Sequence, residues 1–196
     1  MEINMKVKAL LYCCKNGKKL VKGLEDYFLE IHSDNYYWKK GMSSPMGLNG
    51  KIVCECEVET EEFSYMNFEC LTNKYVGILK HSCLTDMQMY HYLRGESGYL
   101  LHLTNVKVFD NPRELSDYLR FDGIYNNINN WKPIQKAPQN MRYAYEYKSE
   151  MGLSGTLNRT LNKRILISVN PQWLCKILNG EKDIEVRRKV LKGMVD

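Results

Sequence analysis

The chain has 196 residues, of which 44% are hydrophobic and 26% are charged. This composition predicts one soluble globular domain with a sizeable core and excludes an intrinsically disordered chain. The formal net charge of +5 is compatible with a polyanionic partner but is too small to require one.

Cysteine usage and the lack of long apolar runs bear on location and on metal binding. No two of the seven cysteines form the Cys-x-x-Cys pair that most zinc sites use. We therefore expect free thiols that pack as small apolar side chains, with no metal and no other cofactor. The polar opening residues and the absence of a membrane-length apolar run predict no signal peptide, no membrane partner and a reducing, cytoplasmic location. The cysteines are Cys13, Cys14, Cys54, Cys56, Cys70, Cys83 and Cys175.

Residues 6–14 are predicted to form a central strand, which a lysine-rich turn follows. Two interpretations of this region remain open. Tyr12 and Lys15 belong either to a ligand rim with lysines near phosphates, or to the core and a solvated turn. Residues 36–40 interleave aromatic and basic side chains, a pattern that suits single-stranded nucleic acid, although packing of this loop onto the domain is the favoured interpretation.

Residues 51–59 alternate in polarity as a half-buried strand does, and we expect their apolar side chains to share one face. The glutamates on the opposite face would repel phosphate, so nucleic acid is expected to bind elsewhere. The side chains predicted to point inward are Ile52, Cys54, Cys56 and Val58.

Two further helices and a strand are predicted in the middle of the chain. Residues 85–88 carry a capping-box pattern, so a short amphipathic helix is expected to follow with Met87, Tyr90 and Leu93 on its apolar face. Residues 98–109 are prone to form a strand, on which His102 is interpreted as a core histidine rather than a catalytic base. Asn111 and the proline after it resemble a helix start.

The last third of the chain contains the strongest functional signal. Residues 141–147 are predicted to form a strand after a turn containing Gln139 and Asn140, and residues 148–163 have a linker-like composition. Residues 164–188 then predict a strand, a helix that begins after Asn170 and ends at a glycine, and a charged strand. Two basic groups and a carboxylate should converge there; the alternative is a solvated strand face with a local ion pair. These groups are Lys182, Glu185 and Arg187.

The order of a strand, a helix and then Gly180-Glu181-Lys182-x-x-Glu185-x-Arg187 resembles the signature of the ASCH domain family, which belongs to the PUA-like superfamily. The turn at residues 137–140 is similar to one in phage-type members. The resemblance implies an α+β fold, namely a PUA-like mixed β-barrel with two to four flanking helices.

In the family the strand, helix and charged strand stand at the amino end, whereas here they stand at the carboxyl end. The chain therefore resembles a circular permutant of the family. We expect residues 1–147 to supply barrel strands and flanking helices, residues 148–163 a linker, and residues 164–196 the strand-helix-strand unit that completes the same domain. Permutation predicts that Met1 and Val195 lie near one another.

The resemblance implies a module that binds RNA, a nucleotide or a nucleoside. The leading hypothesis is a basic cleft formed by Lys182, Glu185 and Arg187, in which cations hold phosphate and the glutamate accepts hydrogen bonds from a base. Further ligand contacts are expected from Tyr12, Lys15, His81, Gln139 and Asn140.

Two other functions follow from the resemblance as alternatives. One is a nucleoside amidohydrolase or ribonuclease with Lys182 and Glu185 as catalytic groups. This chain departs from that pattern, because Glu185 occupies the position of a hydroxyl residue, and Lys80 or His81 replaces a carboxylate before the helix. The other is a phage accessory protein that sequesters a nucleotide signal or binds a host protein through residues 36–40.

Overall fold

A computed structural model describes residues 6–14, 50–65, 73–123, 130–151 and 157–194, in which an eight-stranded sheet is flanked by three α-helices. The fold is thus mixed α+β, with a number of helices inside the predicted range. A short 3-10 turn, Leu115–Asp117, precedes β4. The strands are β1 Val7–Cys13, β2 Ile52–Ser64, β3 Ser97–Arg113, β4 Leu119–Phe121, β5 Trp131–Pro133, β6 Met141–Met151, β7 Leu157–Val169 and β8 Ile184–Arg187, and the helices are α1 Asn73–Ser82, α2 Asp86–Leu93 and α3 Pro171–Leu178.

Strand β1 lies inside the sheet, as predicted. The strand order is β5-β4-β6-β7-β1-β2-β3-β8. Strand β1 runs antiparallel to β2 and parallel to β7, where Ala9 faces Ile165 and Cys13 faces Val169. The inward face predicted for β2 is confirmed, because Ile52, Cys54, Cys56 and Val58 are all buried.

The core lies on both faces of the sheet, because alternate residues of a strand point to opposite sides. Ala9 and Leu11 pack with α3 in one apolar cluster, while Leu10 and Tyr12 pack beneath the 3-10 turn in another. A third cluster lies under α1 and α2, where Phe63 packs with Met89. The six cysteines in the described ranges are free, as predicted.

The sheet is not closed as a barrel by backbone pairing between its edge strands in the part of the chain that the structure describes. Side chains instead connect the chain after β8 to β6 and the turn before it. Asn140 Nδ2 donates a hydrogen bond to Lys189 O over 2.9 Å, and Tyr143 OH donates to Lys192 O over 2.5 Å. The predicted barrel is therefore corrected to an open eight-stranded sheet, in which these side-chain contacts join the chain after β8 to β6.

Local capping signals located α2 and α3 correctly. Thr85 and Gln88 form the predicted capping box, and α3 begins at Pro171 and ends before Gly180, which has a φ of 73°. The predicted apolar face of α2 is wrong in part, because Met87 is 63% exposed and Tyr90 is 45% exposed. Met89 and Leu93 are the residues of this helix that are buried.

Two predicted segments differ from what the structure contains. The helix expected from Asn111 does not form, because residues 111–113 continue β3, and the 3-10 turn follows. The predicted linker 148–163 lies mostly in a hairpin, since Ser149 pairs with Arg159 and Glu150 with Asn158. The domain division of which that linker was part stays a prediction. Residues Met1 and Val195, whose proximity the permutation predicts, lie outside the described ranges.

Gly98 is predicted to be intolerant of a side chain, because a Cβ there would lie 2.5 Å from Leu93 Cδ2 and 2.9 Å from Arg187 O. A backbone oxygen cannot rotate away, so Gly98→Ala should lower the free energy of unfolding by about 1–3 kcal/mol. Gly77→Ala is the matched control: a Cβ there meets no atom within 4 Å, and alanine favours the helix by up to about 1 kcal/mol. Urea denaturation measures both, and equal midpoints would contradict the prediction.

Candidate functional site

Three charged side chains meet beneath the surface at the edge of β8. Lys182, Glu185 and Arg187 are only 3%, 8% and 8% exposed. The turn at Gly180 brings Lys182 back toward β8, where strand alternation places Glu185 and Arg187 on one face. Glu185 lies between the two cations, with Oε2 3.2 Å from Lys182 Nζ and Oε1 2.9 Å from Arg187 Nη2. A solvated strand face is therefore wrong for these residues.

The ammonium group of Lys182 is fully occupied by protein acceptors. Besides its ion pair with Glu185, its Nζ donates to Ser82 O over 2.8 Å and to Ile184 O over 2.7 Å. An ammonium has three N–H donors, so these three partners use all of them. Ser82 is the last residue of α1, where carbonyl groups lack helical partners and a cation is favourable. Lys182 thus joins α1 to β8 and has no donor left for a ligand.

Arg187 links β8 to the end of β7 and to the turn before β6. Its Nη2 donates to Ser168 O over 2.7 Å, and its Nη1 donates to Asn140 Oδ1 over 2.9 Å. Its buried Nε has no hydrogen-bond partner among the described residues. Asn140, predicted as a ligand contact, does not line the cavity, because its amide accepts from Arg187 and donates to Lys189 O.

A cavity of about 420 Å³ lies above this charge cluster. A volume of that size suits a small organic ligand. Two aromatic residues, Trp173 of α3 and Tyr92 of α2, line its wall, and the cluster beneath carries two cations against one carboxylate. The full lining consists of Cys14, Leu84, Gln88, Tyr92, Gln139, Ser168, Asn170, Trp173, Lys182, Glu185, Val186 and Arg187.

Helix α2, which supplies Gln88 and Tyr92 to the cavity wall, is anchored at its first residue. Asp86 Oδ1 accepts hydrogen bonds from Tyr75 and, over 2.9 Å, from Tyr65. Tyr65 also contacts the ring of Tyr90, with 5.4 Å between ring centroids. The position of the α2 wall therefore depends on a carboxylate that accepts from Tyr75 of α1 and from Tyr65, the residue that follows β2.

A second groove of about 650 Å³ adjoins the cavity, and Cys14 and Gln139 line both. Burial raises the pKa of the Cys14 thiol, while the nearby Arg187 acts in the opposite direction. Tyr12 lines this groove with Leu115 and Ile134, and not the cavity. Burial also raises the pKa of the Tyr12 hydroxyl.

The structure brings some predicted site residues together and separates others. Gln139 lines the cavity with Lys182, Glu185 and Arg187, whereas Tyr12 lies in the adjoining groove. Lys15 and residues 36–40 lie outside the described ranges, so predictions about them stay open.

The two histidines considered in the sequence lie away from the cavity lining. The His81 imidazole is half-exposed, and its Nδ1 lies 2.8 Å from Asp183 Oδ1. His102 Nε2 lies 3.0 Å from Glu61 Oε2. His81 therefore pairs with the turn before β8 instead of joining the predicted ligand contacts.

Sequence reasoning missed the aromatic walls. The helix that carries Trp173 was predicted without a ligand-binding role for this side chain, and Tyr92 was not singled out. A helical projection places Gln88 and Tyr92 four residues apart on one side of α2, which is the signal that was available. The sequence does not show that Gln88 and Tyr92 lie near the charged cluster, because that distance depends on packing between segments far apart in the chain.

Comparison with known proteins identifies no relative. No family model matches the sequence, and neither a curated protein nor a solved structure matches the chain. In the described ranges, no helix combines the length and the apolar character needed to cross a membrane.

Replacing Lys182 is expected to destabilise the protein strongly. Lys182→Met would leave the Ser82 and Ile184 carbonyls without their donor and Glu185 with one cation, so the free energy of unfolding should fall by about 3–5 kcal/mol. Lys80→Met is the matched control, because this lysine is exposed on the same helix that Lys182 caps. Chemical denaturation of both variants decides the point, and a Lys182→Met protein as stable as the control would refute the role assigned to Lys182.

Hydrogen bonds from Tyr75 and then Tyr65 lower the pKa of Asp86 below its usual value. A carboxyl whose pKa is lower when folded stabilises the protein above its unfolded pKa, and that contribution is lost as pH falls through the folded pKa. Asp86→Asn should therefore lower the melting temperature near pH 5, and the difference from the unmodified protein should shrink toward about pH 3. Glu96→Gln, at an exposed position, is the control; a constant Asp86→Asn difference across this range would contradict the prediction.

Proposed function

We propose that the cavity binds a base of RNA or of a free nucleotide or nucleoside. The observation that carries the proposal is the combination of two aromatic walls, Trp173 and Tyr92, with a buried carboxylate and guanidinium below them. Aromatic side chains stack on the flat face of a base, and polar groups at one end can bond its edge.

The charges of the site favour a ligand that carries acceptors or a negative charge. The cluster has two cations for one carboxylate, and Arg187 belongs to the cavity lining. The side-chain amides of Gln88 and Gln139 stand at exposed positions of the lining. Gln139 can both donate and accept, whereas Gln88, whose Oε1 accepts from Thr85 N over 2.9 Å in the capping box, has its amide N–H groups left to donate. Their adaptable hydrogen bonds would read the edge of a base.

The sequence resemblance to the ASCH and PUA-like group supports the same function. The elements on which it depends, a strand, a helix and a charged strand, occur as β7, α3 and β8 and surround the cavity. A PUA-like architecture with circularly permuted order is part of this proposal. So is a cytoplasmic location, where RNA and nucleotides are available.

The hydrolase alternative receives less support from the geometry. A lysine acts as a nucleophile or proton carrier through a free N–H or lone pair, and the three N–H groups of Lys182 all have protein acceptors. Glu185 is likewise held by both cations. A host-protein partner would depend on residues 36–40, and that alternative stays a prediction.

The test is equilibrium binding of the four nucleoside monophosphates and of short single-stranded RNA, measured by calorimetry. Loss of one stacking contact costs about 1–3 kcal/mol, so Trp173→Leu and Tyr92→Leu should each weaken binding by about fivefold to over a hundredfold. Glu185→Gln should change the preference among bases, because it converts an acceptor into a group that also donates.

Met87→Ala is the matched control on α2, since Met87 is exposed and does not line the cavity. Circular dichroism and melting curves establish that each variant is folded before its affinity is compared. Undetectable binding of every probe, or equal affinities for Tyr92→Leu and Met87→Ala, would refute the proposal.

A further inference from the structure

A second group of positive charges lies at the opposite edge of the sheet, on β4, β5 and β6. Arg120 faces Lys132 directly across the β4–β5 pair. Leu119 faces Tyr145, so the antiparallel register continued by three residues places Asp122 opposite Arg142. Side chains directly opposite one another project from the same face, so Arg120, Lys132 and Arg142 share one face of this edge.

Carboxylates balance this group only in part. Asp122 Oδ2 lies 3.1 Å from Arg120 Nη2 and 3.6 Å from Lys132 Nζ, so one carboxylate serves two cations. Glu146, the next acidic residue along this face of β6, is paired with Arg113 over 2.9 Å. Three cations against Asp122 leave an excess of two positive charges.

Arg142 is the least compensated member of the group. Its guanidinium has no hydrogen bond or ion pair with any residue that the structure describes. It is half-buried, and burial followed by repulsion from Arg120 lowers its pKa. A guanidinium group offers five N–H donors in a planar fork, and partial removal from water without an acceptor is unfavourable.

The strands beneath these cations are held in place by aromatic side chains on the opposite face. The Phe121 and Trp131 ring centroids lie 5.1 Å apart, and the Trp131 and Tyr145 centroids lie 4.7 Å apart in an edge-to-face arrangement. These contacts tie β5, β4 and β6 together, although β4 and β5 have only three residues each. The three cations are therefore presented from fixed backbone positions.

We propose that Arg120, Lys132 and Arg142 form a phosphate-binding site. A phosphate group would accept hydrogen bonds from the two guanidinium groups and neutralise the local excess of positive charge. The site shares no residue with the lining of the nucleobase cavity and does not depend on the function proposed for that cavity. Two sources of phosphate suit this chemistry, a free polyphosphate or nucleotide and the backbone of a single-stranded nucleic acid.

The experiment compares Arg142→Gln, Arg120→Gln and the double variant with Lys80→Gln, which removes one exposed positive charge elsewhere. The first probe is pyrophosphate, whose binding is followed as an increase in melting temperature. The second is a fluorescein-labelled oligouridylate, followed by fluorescence anisotropy at about 50 and about 200 mM salt.

Loss of a charge-assisted hydrogen bond should weaken binding about tenfold in each single variant, and the control should stay within about twofold. If the backbone of nucleic acid is the source, the slope of log affinity against log salt should fall by about 0.7 for each phosphate contact removed. If only free phosphate compounds bind, the arginine variants should lose pyrophosphate stabilisation and the oligouridylate arm should show no difference. Both outcomes support the site.

The proposal is overturned if the arginine variants bind both probes as Lys80→Gln does. Repeating the oligouridylate measurement in a Trp173→Leu background separates the two sites. A loss caused by Arg142→Gln that persists there belongs to the phosphate site, even if the nucleobase proposal fails. Equal melting temperatures without ligand confirm that the arginine variants remain folded.

Discussion

The carboxylate of Glu185, held between two buried cations, is the interaction on which the arrangement of this domain depends. Removing a charge from water costs several kcal/mol, and the cost is recovered only where the geometry of the partners is good. Each oxygen of Glu185 has its own cation, and each cation has further backbone or side-chain acceptors. The cluster therefore fixes where its partners lie, and loss of one cation would leave the buried carboxylate undercompensated.

Those further acceptors include groups from three other parts of the chain. Lys182 holds the end of α1 through Ser82, and Arg187 holds the end of β7 through Ser168 and the turn before β6 through Asn140. The edge strand β8 is consequently fixed to its sheet neighbour β3 and also to α1, to β7 and to the turn before β6, none of which pairs with it in the sheet. The charged residues that fix β8 also form the floor of the cavity, while side chains of α2 and α3 form its walls. A ligand would meet a surface whose polar groups are already oriented, which lowers the entropic cost of binding.

Local signals in the sequence were sufficient to locate the helices and strand around the cavity. The sequence did not reveal which distant segments contact one another. The Asn170-Pro171 start, Gly180 and the Thr85 capping box each act within a few residues, so α2, α3 and β8 were located correctly. At residues 111–113 an equally local helix signal failed, because pairing of the long strand β3 with β2 overrides it. The engagement of Lys182 with Ser82, 100 residues earlier in the chain, has no sequence signature.

The parallel pairing of β1 with β7 has a consequence for synthesis of the chain. Ala9 leaves the ribosome long before its partner Ile165, so one edge of the interior strand β1 stays unpaired until most of the polypeptide has been made. Strand β2 can cover the other edge much earlier. Until β7 emerges, the nascent chain presents an apolar strand edge that is competent to pair with a neighbouring chain.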